Sequence, residues 1–222
     1  MTSHDVIGFL RRALNTKKIG HGGTLDPDAA GVLPVFAGSA TRLLEFAVEG
    51  RKEYIAEFTL GAQTDTGDDS GEVVKTLPVP QFTQEQLLAV LAQFIGPQLQ
   101  LPPMYSAIKV NGKKLYEYAR QGIEIERSPR EVTIFEIKIE DVSLPRVTFT
   151  IHCSKGTYIR SLCRDIGEKL GCGAVMEKLV RTEVKNFKVE DSLTLAEIEQ
   201  ARDQGTIASY VMKKELLLPE YP

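Results

Sequence analysis

The chain has 222 residues, of which 42% are hydrophobic and 26% are charged, and it carries 27 Lys and Arg against 30 Asp and Glu. This composition is typical of a globular protein and excludes collagen-like, coiled-coil and disordered chains. A membrane-spanning helix is excluded because no run of about 18 apolar residues occurs. Three cysteines without a CxxC pair exclude a disulfide framework. We therefore expect a cytoplasmic protein without a secretory signal.

Hydrophobic periodicity and turn signals predict a mixture of helices and strands without strict alternation. Helices are predicted over 5–14 (capped by Ser3 or Asp5), 40–48 (capped by Ser39), 84–96 (capped by Thr83), 114–121, 157–170 and 195–204 (capped by Thr194). Strands are predicted over 32–37, 52–60, 72–76, 131–140 and 146–153, a hairpin turn at Asn111–Gly112, and a loop over 17–31. The predicted fold is α+β, with a mixed, largely antiparallel sheet flanked by helices and loops in one domain over residues 1–222.

The densest chemical signal is a glycine-rich segment, GHGGTLDPD, at residues 20–28. Glycines let the backbone approach a ligand closely, and Pro27 favours an extended conformation at Asp26. The segment is neither a dinucleotide fingerprint nor a P-loop, because Leu25 stands at the third glycine position and no Gly-Lys-Ser/Thr follows. It is either a plain turn or a stiff loop that presents Asp26 beside His21.

Neither the histidines nor the acidic loop has the spacing of a metal site. The three histidines lack the spacing of metal ligands, so the sequence predicts no metal site. Contact with a phosphate or a base is the more specific alternative for His21. The loop TDTGDDSG at residues 64–71 does not match a calcium loop, because the sixth position from Asp65 is Ser70 and the twelfth is Thr76. A polar turn is predicted there. A metal-dependent phosphoesterase built on its aspartates is a distant alternative.

Arg160 and Tyr54 are the remaining candidates from residue type and position. Arg160 falls in the first turn of a predicted helix, where the helix dipole disfavours a cation, so a carboxylate or phosphate is expected beside it. Tyr54 lies on an apolar strand face, which makes core packing its simplest role.

Charge is unevenly distributed along the chain. Residues 102–130 and 153–188 together carry a net charge of +7, so the remainder carries −10. These two segments predict either one basic face for nucleic acid or an ordinary mixed surface.

Six segments of the chain carry a family resemblance. They are GHGGTLDPDAAGVLP (20–34), KEY (52–54), GAQTDTGDDSGEV (61–73), PPMYSAIKVNGKKLYEYARQG (102–122), KGTYIRSLCRDIG (155–167) and LVRTEVKNF (179–187). In this order and at this spacing they resemble the tRNA pseudouridine synthase B (TruB) family, from about Thr2 to about Leu218. Compared with the family pattern, the chain begins inside a lysine-proline-glycine segment that usually follows a strand. Family members usually continue beyond the position of residue 222 into a small RNA-binding PUA domain, and they commonly have Thr at the position of Gly22.

The resemblance implies a pseudouridine synthase fold and an isomerase that converts uridine-55 in the T-loop of tRNA to pseudouridine. The N-glycosidic bond breaks, the uracil turns and a C5–C1′ bond forms. Because atoms are only rearranged, no redox cofactor, ATP or metal is required. The expected partner is the T-arm stem-loop of tRNA, with no membrane or metal, and we expect a monomer. An insertion over 102–130 is expected to close on the T-loop, and a helical segment is expected over about 192–222.

The resemblance also implies the roles of individual residues. Asp26 matches the catalytic aspartate and Arg160 the arginine that pairs with it. Tyr54 matches the tyrosine that stacks on the target base, and the other substrate-contacting positions are His21, Tyr158 and Leu179. A base inside a folded loop must be flipped out before it can react, and stacking on an aromatic ring recovers about 1–3 kcal/mol. Whether Asp26 adds to the uracil ring, attacks the sugar or removes a proton stays open.

A non-catalytic tRNA-binding or tRNA-folding chaperone is the alternative function. The same loops would serve it. Asp26 discriminates between the two, since a protein that only binds RNA has no reason to hold a carboxylate beside an arginine.

Overall fold

The computed structural model describes residues 1–213, which divide into two compact units. The first unit holds residues 1–52 and the chain from residue 180 onward, and the second holds residues 53–179. The end of the predicted helical segment over 192–222 lies outside the described residues. One catalytic domain with an insertion over 102–130 stays a prediction.

The α-helices have 11 residues or fewer, and short 3-10 helices lie between them or at their ends. The α-helices are α1 (Ser3–Ala13), α2 (Leu44–Val48), α3 (Gln84–Leu91), α4 (Leu115–Ala119), α5 (Ile159–Lys169) and α6 (Leu195–Asp203). The 3-10 helices are Gly38–Leu43, Ala92–Phe94, Val189–Asp191 and Ile207–Tyr210. Within residues 1–213, no helix is long and apolar enough to cross a membrane.

Most of the strands are short. In chain order, the strands are β1 (Ile19–His21), β2 (Ala30–Gly31), β3 (Val35–Ala37), β4 (Arg51–Leu60), β5 (Ala62–Thr64), β6 (Val73–Thr76), β7 (Gly96–Gln100), β8 (Lys109–Val110), β9 (Lys113–Lys114), β10 (Arg130–Ser143), β11 (Arg146–Ser154), β12 (Ala174–Val184) and β13 (Phe187–Lys188). β4, β10, β11 and β12 each have nine or more residues. The predicted hairpin turn at Asn111–Gly112 is confirmed, because β8 and β9 pair on either side of it.

The main sheet of the second unit follows the order β12-β4-β11-β10-β7. The predicted buried face of β4 is confirmed, since Tyr54, Ala56, Phe58 and Leu60 are 6% exposed or less. The inward residues of β11 are also buried, and Phe149 packs on Phe58 with ring centroids 5.2 Å apart. β10 pairs antiparallel with both β11 and β7. The helix predicted over 84–96 is shorter in the structure, because α3 ends at Leu91 and is followed by a 3-10 helix over Ala92–Phe94. Gly96 instead begins β7, which was not predicted and which pairs with residues 130–134 of β10.

In the first unit, small strands surround the glycine-rich segment. β1 pairs antiparallel with β3, placing His21 opposite Val35. The 180–184 end of β12 pairs with β2 in parallel and with β13 in antiparallel orientation. The prediction of a continuous loop over 17–31 was therefore wrong at β1 and β2, which are too short to show a period of their own.

Helix caps follow the predicted chemistry with two exceptions. Thr83 and Thr194 cap α3 and α6 with complete capping boxes, as predicted. In α1 the cap is Thr2 rather than Ser3 or Asp5, because Asp5 occupies the third helical position and bonds back to Thr2. Ser39 caps nothing, since the chain enters a 3-10 helix from Ala37 there.

Glu177 on β12 holds an ion-pair network on the surface of the second unit. Its carboxylate accepts hydrogen bonds from Arg146 Nε at 2.9 Å and Nη2 at 3.1 Å, and from the hydroxyl of Thr59. The bond from Arg146, followed by that from Thr59, lowers the pKa of Glu177 from 4.5 to about 2.

We expect Glu177→Gln to lower the free energy of unfolding at neutral pH. A carboxyl with a depressed folded pKa stabilises the fold above its unfolded pKa and loses that contribution as pH falls through the folded value. The window here runs from 4.5 down to about 2. The effect is small because the Arg146 side chain is 57% exposed and solvent screens the pair. Urea unfolding of both proteins should show a difference at about pH 7 that shrinks at about pH 3. A pH-independent difference would contradict this role.

Candidate active site

The glycine-rich segment forms a loop that hydrogen bonds hold at several points. The N–H of Gly22 donates to the carbonyl of Pro34 at 2.8 Å. Leu25 is held by Ser3 of α1, whose hydroxyl accepts the N–H of Leu25 at 2.9 Å and donates to its carbonyl at 3.3 Å. Ser3 is 6% exposed, so α1 supplies a buried anchor for the middle of the loop.

Asp26 lies half-buried in this loop, directly after the anchored Leu25. Its backbone carbonyl accepts the N–H of Ala29 at 3.0 Å, which closes a turn over Pro27 and Asp28. The proline fixes its own φ and restricts the residue before it. The loop is therefore a constrained turn rather than a flexible connection, while the presentation of Asp26 beside His21 stays a prediction.

Arg181 of β12 closes the loop at both ends. It is 1% exposed, and it is the largest of the fully buried side chains. Its Nε donates to the carbonyl of Val32 at 3.0 Å and its Nη2 to the carbonyl of Gly23 at 3.1 Å. The carbonyl of Arg181 accepts the N–H of Val32 at 2.9 Å.

Two glycines of the loop are required by close packing. Gly31 has φ +113°, and a Cβ at this position would overlap the backbone of Arg181. A Cβ at Gly22 would overlap the side chain of Val48. Val48 thus fills the space that a side chain at position 22 would occupy.

His21 lies at the end of β1, immediately before the loop. Its Nδ1 is buried without a hydrogen-bond partner among the described residues. Burial lowers the pKa of His21 below 6.5, and the positive charge of Arg181 lowers it further, while a backbone contact with Gly23 acts in the opposite direction. The lowered pKa favours the neutral imidazole at neutral pH.

Arg160 lies in the first turn of α5 and is 5% exposed. Its Nη1 donates to the carbonyl of Thr66 at 3.1 Å and its Nη2 to the carbonyl of Tyr105 at 2.8 Å. Its Nε lies 3.5 Å from a carboxylate oxygen of Asp68. The expectation of a negative group beside Arg160 is confirmed by Asp68, while the predicted pairing with Asp26 stays a prediction.

Asp68 is a residue that sequence reasoning missed. The predicted polar turn is confirmed, because its carboxylate accepts the hydroxyls of Thr66 and Ser70, each at 2.6 Å. The turn is also tied to β12, since Asp69 and Met176 are linked by an N–H···O bond of 3.2 Å. Two signals in the sequence could have found Asp68. Arg160 was expected to need a negative partner, and the loop at 64–71 is rich in aspartate.

Tyr158 precedes Arg160 at the N-cap of α5 and is held through its backbone. The N–H of Tyr158 donates to Gln100 Oε1 at 2.8 Å, and its carbonyl accepts Gln100 Nε2 at 3.1 Å. Gln100, which is 3% exposed, therefore fixes the start of α5 with one amide group.

Tyr54 and Leu179 lie on β4 and β12, which are neighbours in the sheet. Tyr54 is 6% and Leu179 is 8% exposed. The core-packing interpretation of Tyr54 agrees with this burial. Its stacking on a substrate base stays a prediction.

The six predicted site residues fall into two groups. His21 and Asp26 flank one loop of the first unit. The second unit contains Tyr54, Tyr158, Arg160 and Leu179, with Tyr158 and Arg160 together at the start of α5. Buried polar side chains hold the backbone of each group, namely Ser3 and Arg181 in the first and Gln100 in the second. The carboxylate of Asp68, whose side chain is 15% exposed, lies beside the cation of Arg160.

The segment 105–122 in the second unit combines cations with aromatic rings. Lys114 Nζ and Arg120 Cζ each lie 5.4 Å from the ring centre of Tyr116, and Lys113 Nζ lies 5.8 Å from that of Tyr118. Such pairs suit contacts with the phosphates and bases of RNA. Among residues 1–213, no group of three or more His, Cys, Asp and Glu side chains is arranged to hold a metal ion.

Two family models together match nearly the whole chain. Residues 11–159 match the TruB family pseudouridylate synthase N-terminal domain, and residues 160–219 match the tRNA pseudouridylate synthase B C-terminal domain. The chain belongs to the TruB family. The resemblance predicted from the six segments is therefore confirmed.

Two relatives illustrate how close this family similarity is. The tRNA pseudouridine synthase B of Alkaliphilus oremlandii is 50% identical over all of this chain and 71% of its own length. That of Streptococcus pneumoniae serotype 4 is 52% identical over 93% of this chain and 73% of its own length.

Solved structures confirm the predicted fold class. A chain of a Cbf5-Nop10-Gar1 complex is 29% identical, with a TM-score of 0.74 over 98% of this chain. A chain of an H/ACA RNP bound to a substrate RNA containing 2'-deoxyuridine is 27% identical, with a TM-score of 0.71. This chain spans 58% and 57% of those two chains, respectively.

Proposed function

We propose that this chain is a tRNA pseudouridine synthase that isomerises uridine-55 of the T-loop, with Asp26 as the catalytic carboxylate. Membership of the TruB family supports the isomerase reaction, and the names of the relatives support tRNA as the substrate class. The observation that carries the assignment of Asp26 is the loop itself. It places a half-buried carboxylate one residue after a backbone anchored by Ser3.

The reaction requires an ionised carboxylate beside the target uracil, which must first be flipped out of the folded T-loop. The N1–C1′ bond breaks, the C5–C1′ bond forms, and the hydrogen of C5 is lost to solvent while N1 gains one. Asp26 acts on the ring, on C1′ or on a sugar proton, and each of these roles needs its negative charge. Arg160 is proposed to keep Asp26 charged and oriented, because a guanidinium does not give up its proton.

The remaining family positions are proposed to bind the flipped uridine. Tyr54 stacks on the base, and His21, Tyr158 and Leu179 contact the substrate. A neutral His21 with a buried, unpartnered Nδ1 supports this assignment, since a buried polar atom without a partner costs free energy until a ligand satisfies it.

The proposed substrate form is the T-arm stem-loop of tRNA, which implies a cytoplasmic location. We further propose that the protein acts as a monomer without metal or cofactor. The test incubates a T-arm transcript in large molar excess over the protein. More than one pseudouridine per protein molecule should form at position 55, both with and without EDTA. Binding without product would support the chaperone alternative, and loss of activity in EDTA would contradict the metal-free proposal.

We expect T-arm affinity to fall steeply as salt rises, because bound phosphates release counterions. Fewer cations contribute than the sequence suggests, since Arg160 and Arg181 in the basic segment 153–188 are buried. The exposed cations of 105–122 remain available, and Lys113 and Arg120 are both exposed. The dissociation constant measured at increasing potassium chloride checks this, with Lys113→Gln reducing the slope by about one unit per lost contact. A flat salt dependence would contradict the electrostatic proposal.

A further inference from the structure

Arg181 presents a buried cation that the proposed reaction does not use. It is 1% exposed, and within residues 1–213 its side-chain hydrogen bonds go to two neutral carbonyls, those of Gly23 and Val32. Burying a guanidinium is costly when a carboxylate does not balance it. A strand that needed only packing at this position would be better served by an aliphatic side chain.

The two acceptors lie at opposite ends of the loop that carries Asp26. Gly23 precedes Asp26 by three residues and Val32 follows it by six. One planar guanidinium therefore bridges the entry and the exit of the loop through Nη2 at 3.1 Å and Nε at 3.0 Å. The rigid fork of arginine sets the separation of the two carbonyls, which a flexible ammonium cannot do.

The backbone of Arg181 holds the same loop. Val32 donates its N–H to the carbonyl of Arg181 at 2.9 Å, and Arg181 pairs with Gly31 in the parallel β2–β12 ladder. The absence of a side chain at Gly31 permits this approach, since a Cβ there would overlap the Arg181 backbone. Both the backbone and the side chain of one residue thus fix the exit of the loop.

We propose that Arg181 is a positioning residue for the reaction, which sets the geometry of Asp26 by clamping Gly23 and Val32. The inference rests on the proposed function, because it takes Asp26 as the catalytic carboxylate. Arg181 itself touches the loop backbone rather than the substrate. Its loss should slow the chemical step while leaving the RNA-binding surface of 105–122 intact.

The test compares Arg181→Met and Arg181→Lys with the parent protein and with Val147→Ala. Val147 is 1% exposed on β11 of the second unit, so its truncation also weakens a core but changes no residue of the loop. Three quantities are measured on each protein: single-turnover rate on the T-arm transcript, dissociation constant for the same transcript, and amide hydrogen exchange of residues 22–32.

In Arg181→Met we expect faster exchange in the loop, an unchanged dissociation constant and a single-turnover rate about 100-fold lower, as small misplacements of a catalytic group produce. Arg181→Lys keeps the charge but cannot hold both carbonyls in the same fork, so it should recover only part of the rate. Val147→Ala should keep the parent rate. If Arg181→Met does not fold, Arg181→Lys decides the question by its rate and its loop exchange.

An unchanged rate in a folded Arg181 variant would overturn the inference, as would an equal loss of rate in Val147→Ala. A separate variant, Asp26→Asn, tests the proposed function independently of the inference about Arg181. If Asp26→Asn isomerises uridine at the parent rate, the catalytic assignment is wrong, whereas the effect of Arg181 on loop exchange is still measured without any activity.

Discussion

Asp26→Asn should bind the T-arm stem-loop with nearly the affinity of the parent protein and form no detectable pseudouridine. The substitution keeps the size of the side chain and its place after the anchored Leu25, and removes only the charge. A catalytic carboxylate acting on a proton contributes about 10²–10⁴-fold to the rate. In the nucleophilic role the carboxylate forms a covalent intermediate, for which its negative charge is needed. Nucleosides from digested product are separated and quantified, with binding measured on the same preparation.

Asp28→Asn is the matched control for this prediction. Asp28 lies in the same turn but is exposed, and the family resemblance assigns it no role. It should retain the parent activity. Turnover by Asp26→Asn within about tenfold of the parent would contradict the catalytic assignment, because general acid–base catalysis alone supplies more than that.

Arg160→Met should lower turnover strongly, with a smaller effect on T-arm affinity. The variant keeps much of the side-chain length but removes the charge proposed to act on Asp26. We expect a loss of about 100-fold in the single-turnover rate if the orientation of the carboxylate is disturbed. Arg160→Lys should recover part of the rate, since a point charge does not reproduce a planar, two-pronged contact.

The contacts of Arg160 also predict a cost in stability. The carbonyls of Thr66 and Tyr105 lose their guanidinium donors, and each unsatisfied buried group costs about 1–3 kcal/mol. Thermal unfolding must therefore accompany the kinetic measurement. Asp68→Asn is the matched control, because it removes the ion pair seen at 3.5 Å while leaving Arg160 in place.

A different result would assign Arg160 to an RNA phosphate. In that case Arg160→Met would weaken T-arm binding and reduce its salt dependence, while the rate at saturating RNA would not change. This pattern would show that the proposed pairing with Asp26 is wrong. The deep burial of Arg160 argues for the first result.

The elements that could be predicted from the sequence are those long enough to show a hydrophobic period or a capping motif. The alternation in β4 and β11 identified buried faces that the structure confirms, and the capping boxes at Thr83 and Thr194 located two helix starts. β1, β2 and β7 were missed because two to five residues carry too little periodicity, and because each pairs with a strand that is not the next one along the chain.

The candidate site divides in the same way. A constrained loop and a cation in a first helical turn are local signals that drew attention to Asp26 and Arg160, and the family resemblance then implied their roles. Arg181 and Asp68 were missed because their roles depend on contacts across about 150 and 90 residues of chain. In the sequence, Arg181 cannot be told from an ordinary surface arginine. Only the fold shows that its guanidinium donates hydrogen bonds to two carbonyls of one loop.

The most direct test of the central claim uses a T-arm stem-loop that carries tritium at C5 of the uridine at position 55. Formation of the C5–C1′ bond must release this label to water, whereas binding or folding of the RNA releases none. The parent chain should release one tritium per stem-loop, and Asp26→Asn should release none. A stem-loop labelled at any other uridine should keep its tritium. Absence of release by the parent chain, or release from another position, would contradict the proposal that this protein isomerises uridine-55.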